Sequence, residues 1–167
     1  GLKVAQRGTV EQEVLLAYGY LPNTYLKLNQ LDSALYYNEL YRQKATELGD
    51  SSLIALSYSK DGNFYLGQAL YDLAFQSYLE NTRLLERLKD STGLVFTYGD
   101  IAQVLDRKER FEEAIAYYEK SISIGNARGD LLSQIPSLIN MSILWRKTDQ
   151  LDQAYTVLNR VDSILKH

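Results

Sequence analysis

The chain has 167 residues, enough for one ordinary domain, and an apolar content of 46% with only two prolines argues for a folded body rather than a disordered one. Eighteen basic residues against 21 acidic ones, with no basic block, give no electrostatic reason to expect nucleic acid or an anionic membrane surface. Cysteine is absent, which excludes disulfides and thiolate chemistry and leaves the compartment open.

No apolar run approaches the roughly 18 residues of a membrane span, and GLKVAQRGTV lacks the hydrophobic segment of a secretory signal. These features favour a cytoplasmic protein, with a periplasmic sensor domain or a piece of a longer chain as the alternatives. Residues Gly1–Arg7 read as the last turns of a helix, with Gly8 placed to stop it and Thr9 to cap the next. A first helix is then predicted over about Val10–Leu28, a turn at Asn29–Gln30, and a second helix over Leu31–Leu48. Pro22 is the misfit, because inside a helix it removes a backbone hydrogen bond and clashes with the preceding turn. A kink or break is expected there, as a bend at a close-packed site or as a functional hinge.

The next hairpin is predicted as Ser51–Gly67 and Tyr71–Leu88. A third follows within Leu94–Asp130, where Val95, Tyr98, Ile101, Ala102 and Leu105 recur at helical spacing, a polar turn covers Asp106–Arg110, and a second helix carries Phe111, Ala114, Ile115, Tyr118 and Ile122. The fourth runs from about Leu132–Lys147 to Leu151–Lys166. Pro136 is tolerated if its first helix starts late. Between hairpins stand Leu48-Gly49-Asp50, Leu88-Lys89-Asp90 and Arg128-Gly129-Asp130. Gly supplies the left-handed residue that closes one helix and Asp caps the next, so Lys89 carries a strain of a few tenths to about 1 kcal/mol if it takes positive φ.

The hairpins repeat every 40 residues. Ala34, Ala74, Ala114 and Ala154 fall in one register, Leu31, Tyr71, Phe111 and Leu151 three positions before them, and the position after that is acidic each time, as Asp32, Asp72, Glu112 and Asp152. A hairpin cannot bury its apolar face alone, so neighbours must stack and the product is all-α, an α-solenoid. It is predicted as one domain over 1–167, with repeats at about 10–49, 50–89, 90–129 and 130–167 after the helix end at 1–8.

The pattern resembles the tetratricopeptide repeat family, in the 40-residue form found in signalling adaptors and regulators, over nearly the whole chain. The early aromatic of the first helix is matched by Tyr18, Tyr58 and Tyr98, with Leu138 last. The apolar residue three positions on is met by Leu21, Ile101 and Met141 and broken by Asp61. The small residue after it is met by Gly62, Ala102 and Ser142 and broken by Pro22, and an aromatic or Leu follows at Tyr25, Tyr65, Leu105 and Trp145. Four residues beyond the register alanine stand Tyr78, Tyr118 and Leu158, with Asn38 departing. The alanine lets paired helices approach closely, where a larger side chain would cost about 1–3 kcal/mol. Most of the fourteen tyrosines occupy packing positions with their hydroxyls toward the rim, rather than forming an aromatic ligand box.

Catalysis finds no support. The single histidine is His167, no His/Cys/carboxylate cluster has metal-ligand spacing, and no glycine-rich phosphate loop precedes a helix. The pair Glu112–Glu113 lies at a helix start, where negative charge favours the dipole without any chemistry. The reading is therefore not an enzyme, with no metal and no cofactor.

The resemblance implies a concave surface lined by the first helix of each pair, which holds segments of partner proteins. In the family's register its inward positions are Asn23, Asn63, Gln103 and Ile143, and four residues along Lys27, Gly67, Arg107 and Lys147. An amide ladder holds the backbone of an extended peptide through donors and acceptors, and the cations attract carboxylates, so the partner expected is a protein or peptide segment, acidic or C-terminal. Nearer the helix N-termini Leu16, Leu56 and Phe96 can take an apolar anchor. Lys27, Arg107 and Lys147 can equally be read as solvated residues near turns. The family's clamp for acidic chaperone tails is matched only by Asn23 and Asn63: Gly19 stands where it needs lysine, and Phe96 and Asp100 where it needs basic residues. By family analogy the module is the sensory or regulatory part of a longer signalling protein. The rival role is a structural spacer, or a homodimer through the uncapped end helices Leu2–Arg7 and Leu151–Lys166, the latter carrying the stripe Ala154, Val157, Leu158, Val161 and Leu165. A superhelical RNA-binding array would need a basic, aromatic face that the charge balance does not offer.

Overall fold

A computed structural model describes the backbone of residues 2–166 and the side chains of residues 13–166. Among these residues there are eight α-helices, one 3-10 turn and no strand. The helices are α1 (Leu2–Lys27), α2 (Leu31–Glu47), α3 (Ser51–Gly67), α4 (Tyr71–Leu88), α5 (Ser91–Arg107), α6 (Phe111–Ala127), α7 (Ile135–Lys147) and α8 (Leu151–Leu165). The chain is all-α, as the repeat predicts. It forms two compact units, Gly1–Leu84 and Leu85–His167.

In the first unit α1 packs on α2 and α2 on α3, and Gly62 of α3 lies against the ring of Tyr78 on α4. The register alanines mark the close approaches: Ala34 and Ala74 are wholly buried. One expectation fails here. Helix α1 runs unbroken from Leu2 to Lys27, through both Gly8 and Pro22. A helical glycine costs about 1 kcal/mol against alanine and does not by itself end a helix, so packing on α2 outweighs the local signal. Pro22 is among the fully buried residues. Its ring leaves the Tyr18 carbonyl without an intrahelical donor, and the helix carries that loss rather than stopping.

The two departures from the repeat pattern in this unit, Asn38 and Asp61, turn out to be partners. Asn38 Nδ2 donates to Asp61 Oδ1 at 2.6 Å and to the Ser57 carbonyl at 2.8 Å, while Arg42 Nη1 donates to Asp61 Oδ2 at 2.6 Å. Arg42 also bonds Glu39 and lies over the Tyr58 ring. Burial works against the Arg42 charge, yet its hydrogen bonds to Asp61 and Glu39 and their negative charges outweigh that and push its pKa up. Asn38 Oδ1 is buried with no hydrogen-bond partner, the one unsatisfied atom of the network.

In the second unit α5 packs on α6, α6 on α7 and α7 on α8. Val95, Ile101, Ala102, Leu105, Ala114 and Tyr118 are buried between the first pair. Ser121 Oγ donates to the Val95 carbonyl at 2.7 Å and sits 2.8 Å from Ser137 Oγ, joining α5, α6 and α7 through polar atoms that are all satisfied. Pro136 is accommodated as predicted. A 3-10 turn at Leu132–Gln134 delays α7 until Ile135, so the proline falls in its first turn. The stripe of α8 is only partly bare: Ala154, Val157 and Val161 are buried, whereas Leu158 and Leu165 are exposed.

The punctuation between hairpins is as read from the chain. Asp50 accepts from the amides of Ser52 and Leu53, Asp90 from Gly93 and Asp130 from Ser133. Gly49 and Gly129 have φ of +67° and +68°, and Lys89 takes the same left-handed conformation at +55°. The turns inside the hairpins also need such a residue, and none of them uses glycine: Asn29, Ala69, Glu109 and Asp149 lie at φ between 57° and 60°. The amide after each reaches back to a carbonyl five residues earlier, Leu70 to Tyr65 and Arg110 to Leu105 at 2.9 Å, which closes the helix end.

Candidate functional site

The predicted lining residues lie on one stripe of each first helix, because positions i, i+4, i+7 and i+11 fall on the same helical face. On α1 the stripe is Leu16, Tyr20, Asn23 and Lys27, and all four are exposed. On α3 it is Leu56, Lys60, Asn63 and Gly67, with Leu56 and Asn63 exposed. The two helices are joined where Lys60 Nζ donates to the Gly19 carbonyl at 2.8 Å and lies 4.5 Å from the centre of the Tyr41 ring. Burial there pushes the Lys60 pKa down. Asn63 is not wholly free for a ligand, since its Oδ1 accepts from the Tyr78 hydroxyl at 2.8 Å and its amide nitrogen remains as donor.

In the second unit the stripe on α5 is Phe96, Asp100, Gln103 and Arg107, and that on α7 is Pro136, Asn140, Ile143 and Lys147. Phe96 is 52% exposed and Gln103 half-buried. Between the two helices lies a cavity of about 70 Å³ that Phe96 and Gln103 share with Asp100, Pro136 and Asn140. Arg107 and Lys147 lie outside it. Lys147 is already engaged, paired with Asp106 Oδ1 at 3.0 Å and lying 4.8 Å from the centre of the Phe111 ring, so it is not the freely solvated cation that a simple ladder requires. Arg107 is exposed.

Asp100 was not among the predicted lining residues. Burial raises its pKa from 3.8 to about 6. It also helps to raise that of Tyr118 on α6, where desolvation is the larger cause and Asp106 and Asp100 add negative charge, against a side-chain hydrogen bond from Asn140. A signal was present: Tyr20, Lys60, Asp100 and Asn140 stand in one register, in the middle of the predicted stripe.

The tyrosines pack, as anticipated. Tyr41, Tyr78 and Tyr118 are buried, and only Tyr20, Tyr36 and Tyr155 of the described tyrosines are exposed. Tyr25 and Tyr37 stack with ring centres 5.1 Å apart, and Tyr18 and Tyr36 tilt against Tyr37. Among the described residues no group of three His, Cys, Asp or Glu side chains could hold a metal ion, and no helix is long and apolar enough to cross a membrane. The Leu2–Arg7 face lies outside the described side chains.

Residues 53–127 match the family model described as tetratricopeptide repeat. Tetratricopeptide repeats are thus matched over residues 53–127. Such repeats generally mediate protein–protein interaction and are non-catalytic modules. Among solved structures the chain is similar to BtubC (BKLC) from P. vanneervenii, with a TM-score of 0.78 at 16% identity over 91% of this chain and 63% of that one. It is also similar to MamA, residues 41 to the end, from Desulfovibrio magneticus RS-1, with a TM-score of 0.51 at 13% identity over 92% of this chain and 96% of that one. At these identities the likeness is one of fold. The chain thus spans 63% of the length of BtubC. No curated protein sequence matches it.

Proposed function

We propose that these tetratricopeptide repeats form a non-catalytic binding module that holds an extended segment of a partner protein on the first-helix stripes of a unit, those of α1 and α3 in the first and those of α5 and α7 in the second. One observation carries the reading: Leu16, Leu56 and Phe96, large apolar residues at 58%, 46% and 52% exposure, recur in the register that also exposes Asn23 and Asn63. Exposed apolar side chains in step with amide donors are what an extended peptide needs, an anchor for a side chain and a partner for its backbone. Lys27 and Arg107 add positive charge at the ends of their helices and favour a segment with carboxylates. Lys147, held by Asp106, contributes less. The sensory or regulatory role within a signalling protein stays with this reading as its wider setting.

The test is binding of the full chain to a cellulose array of random hexapeptides, compared with the Asn23→Ala/Asn63→Ala variant. The double variant is expected to lose most captured spots while keeping its circular dichroism. Because Asn63→Ala also deprives Tyr78 of an acceptor, Tyr78→Phe serves as the control and should bind as the wild type. Equal capture by wild type and double variant would remove the amides from the account.

A second reading rests on α8, where Tyr155, Leu158 and Leu165 are exposed at 70%, 46% and 65%. We propose self-association through this face as the alternative role. Light scattering that shows a monomer at high concentration disposes of it. Charges belong at Leu158 and Leu165 for this test, since Val157 and Val161 are buried in their own hairpin and charging them would unfold it.

A further inference from the structure

The cavity between α5 and α7 is built unlike the rest of the stripe. Val95, Phe96 and Pro136 give it apolar walls, Gln103 and Asn140 add amides, and Asp100 is its only ionisable lining group. The Asp100 carboxylate is held in a half-buried place with no hydrogen bond, and among the described residues no basic side chain pairs with it. Its counterpart one repeat earlier, Lys60, is by contrast satisfied by the Gly19 carbonyl and the Tyr41 ring. A carboxylate withdrawn from water without a counter-charge is costly unless something supplies one.

We infer that this cavity is a subsite for a lysine side chain of the bound segment, whose ammonium pairs with Asp100 while its methylenes lie against Phe96 and Pro136. This rests on the binding reading above and adds the residue that it selects. Charge decides the class of ligand, since an ionised carboxylate accepts hydrogen bonds only and an ammonium offers three donors with no acceptor. The side-chain carbonyls of Gln103 and Asn140 can take the remaining donors. An ammonium is a compact point charge on a flexible stem, and about 70 Å³ holds it with its last methylenes. An acidic side chain would meet Asp100 with like charge and is excluded.

The cavity faces Asp100 with no titratable group from the 3-10 turn or α7, where its lining is Ser133, Pro136, Ser137 and Asn140. From α6 Tyr118 feels the Asp100 charge, and its raised pKa keeps it neutral. Lysine capture should therefore follow the ionisation of Asp100 alone, weak at pH 5 and full at pH 8, consistent with its pKa of about 6.

The experiment uses the same hexapeptide array, with each captured sequence resynthesised with lysine, norleucine, arginine or glutamate at its selected position. Supporting results are enrichment of lysine in captured peptides, loss of at least about tenfold in affinity on change to norleucine, and disappearance of that discrimination in Asp100→Asn. Asn is nearly isosteric and removes an unpaired charge, so the variant should fold; Asp100→Ser is the second. Capture without any lysine preference, or a preference that survives in Asp100→Asn, overturns the subsite and leaves the binding module standing. No capture of any peptide by the wild type overturns both. Titration of 15N-labelled full chain with N-acetyl-lysine-N-methylamide gives an independent check: shifts at Gly99, Asp100, Gln103 and Asn140 support the subsite, and their absence at saturating probe rejects it.

Discussion

Replacing Asp100 by asparagine should make the second unit more stable at neutral pH and leave it unchanged in acid. Folding raises the Asp100 pKa from 3.8 to about 6, so the folded state binds the proton more tightly than the unfolded one. The stability this group allows is fully present below about pH 4 and is lost as pH rises through about 6. A rise of that size corresponds to about 3 kcal/mol, and since the cavity opens to water, relaxation should bring the measured effect to about 1–3 kcal/mol. Asparagine has the same shape and no charge, so the difference between variant and wild type isolates this one ionisation, every other carboxylate cancelling. Urea denaturation at pH 4 and pH 8 measures it. The single tryptophan, Trp145 on α7, is half-buried and reports the unit that contains the substitution. A difference in stability that does not change between the two pH values, or an asparagine variant less stable at pH 8, would refute the claim that Asp100 is buried without a counter-charge.

Three further outcomes follow from particular contacts. A Cβ on Gly62 would lie 2.5 Å from the Tyr78 ring, so Gly62→Ala must push apart a fully buried aromatic and should cost about 1–3 kcal/mol in the denaturation of the full chain. Ala69→Gly, Lys89→Gly and Glu109→Gly each place glycine where φ is between 55° and 58°, and each should raise stability by about 0.5–1 kcal/mol, measured as a higher midpoint at unchanged slope. Asp61→Ile alone should cost about 2–4 kcal/mol by stranding Asn38 and Arg42, whereas Asp61→Ile together with Asn38→Tyr restores the repeat pattern and should recover part of it; additive effects in the double-mutant cycle, with Asn38→Tyr as the other single variant, would contradict the pairing.

Much of the architecture is legible because its signals are local. The ends of α3 and α4, Ser51–Gly67 and Tyr71–Leu88, fall where the Gly/Asp punctuation and the alanine register place them. The same reliance on local signals misplaced a boundary in α1, where packing on α2 overrides the weak stop at Gly8 and the helix runs on through Pro22 as well. The strain at Ala69 and Glu109 left no mark in the sequence, because a left-handed residue without glycine looks like any other turn residue. The stripe of the first helices was also readable, since spacing alone puts Leu16 with Asn23 and Phe96 with Gln103. What spacing cannot convey is which pairs of elements bring two exceptions together. Asn38 and Asp61 look like two separate faults in a repeat until α2 and α3 are seen side by side. Asp100, weighed only as standing where a known clamp needs a basic residue, shows its character through burial rather than through position.

The bond between Asn38 and Asp61 also bears on how a chain of near-identical hairpins finds its own order while folding. In a register slip that set α2 against α5 in place of α3, Asn38 would meet Ile101, the apolar occupant of the position that Asp61 fills, and its amide would be stranded in a dry contact. Correct adjacency is thus keyed by one polar lock among interchangeable greasy faces, so an entangled or swapped stack is disfavoured before either unit is complete.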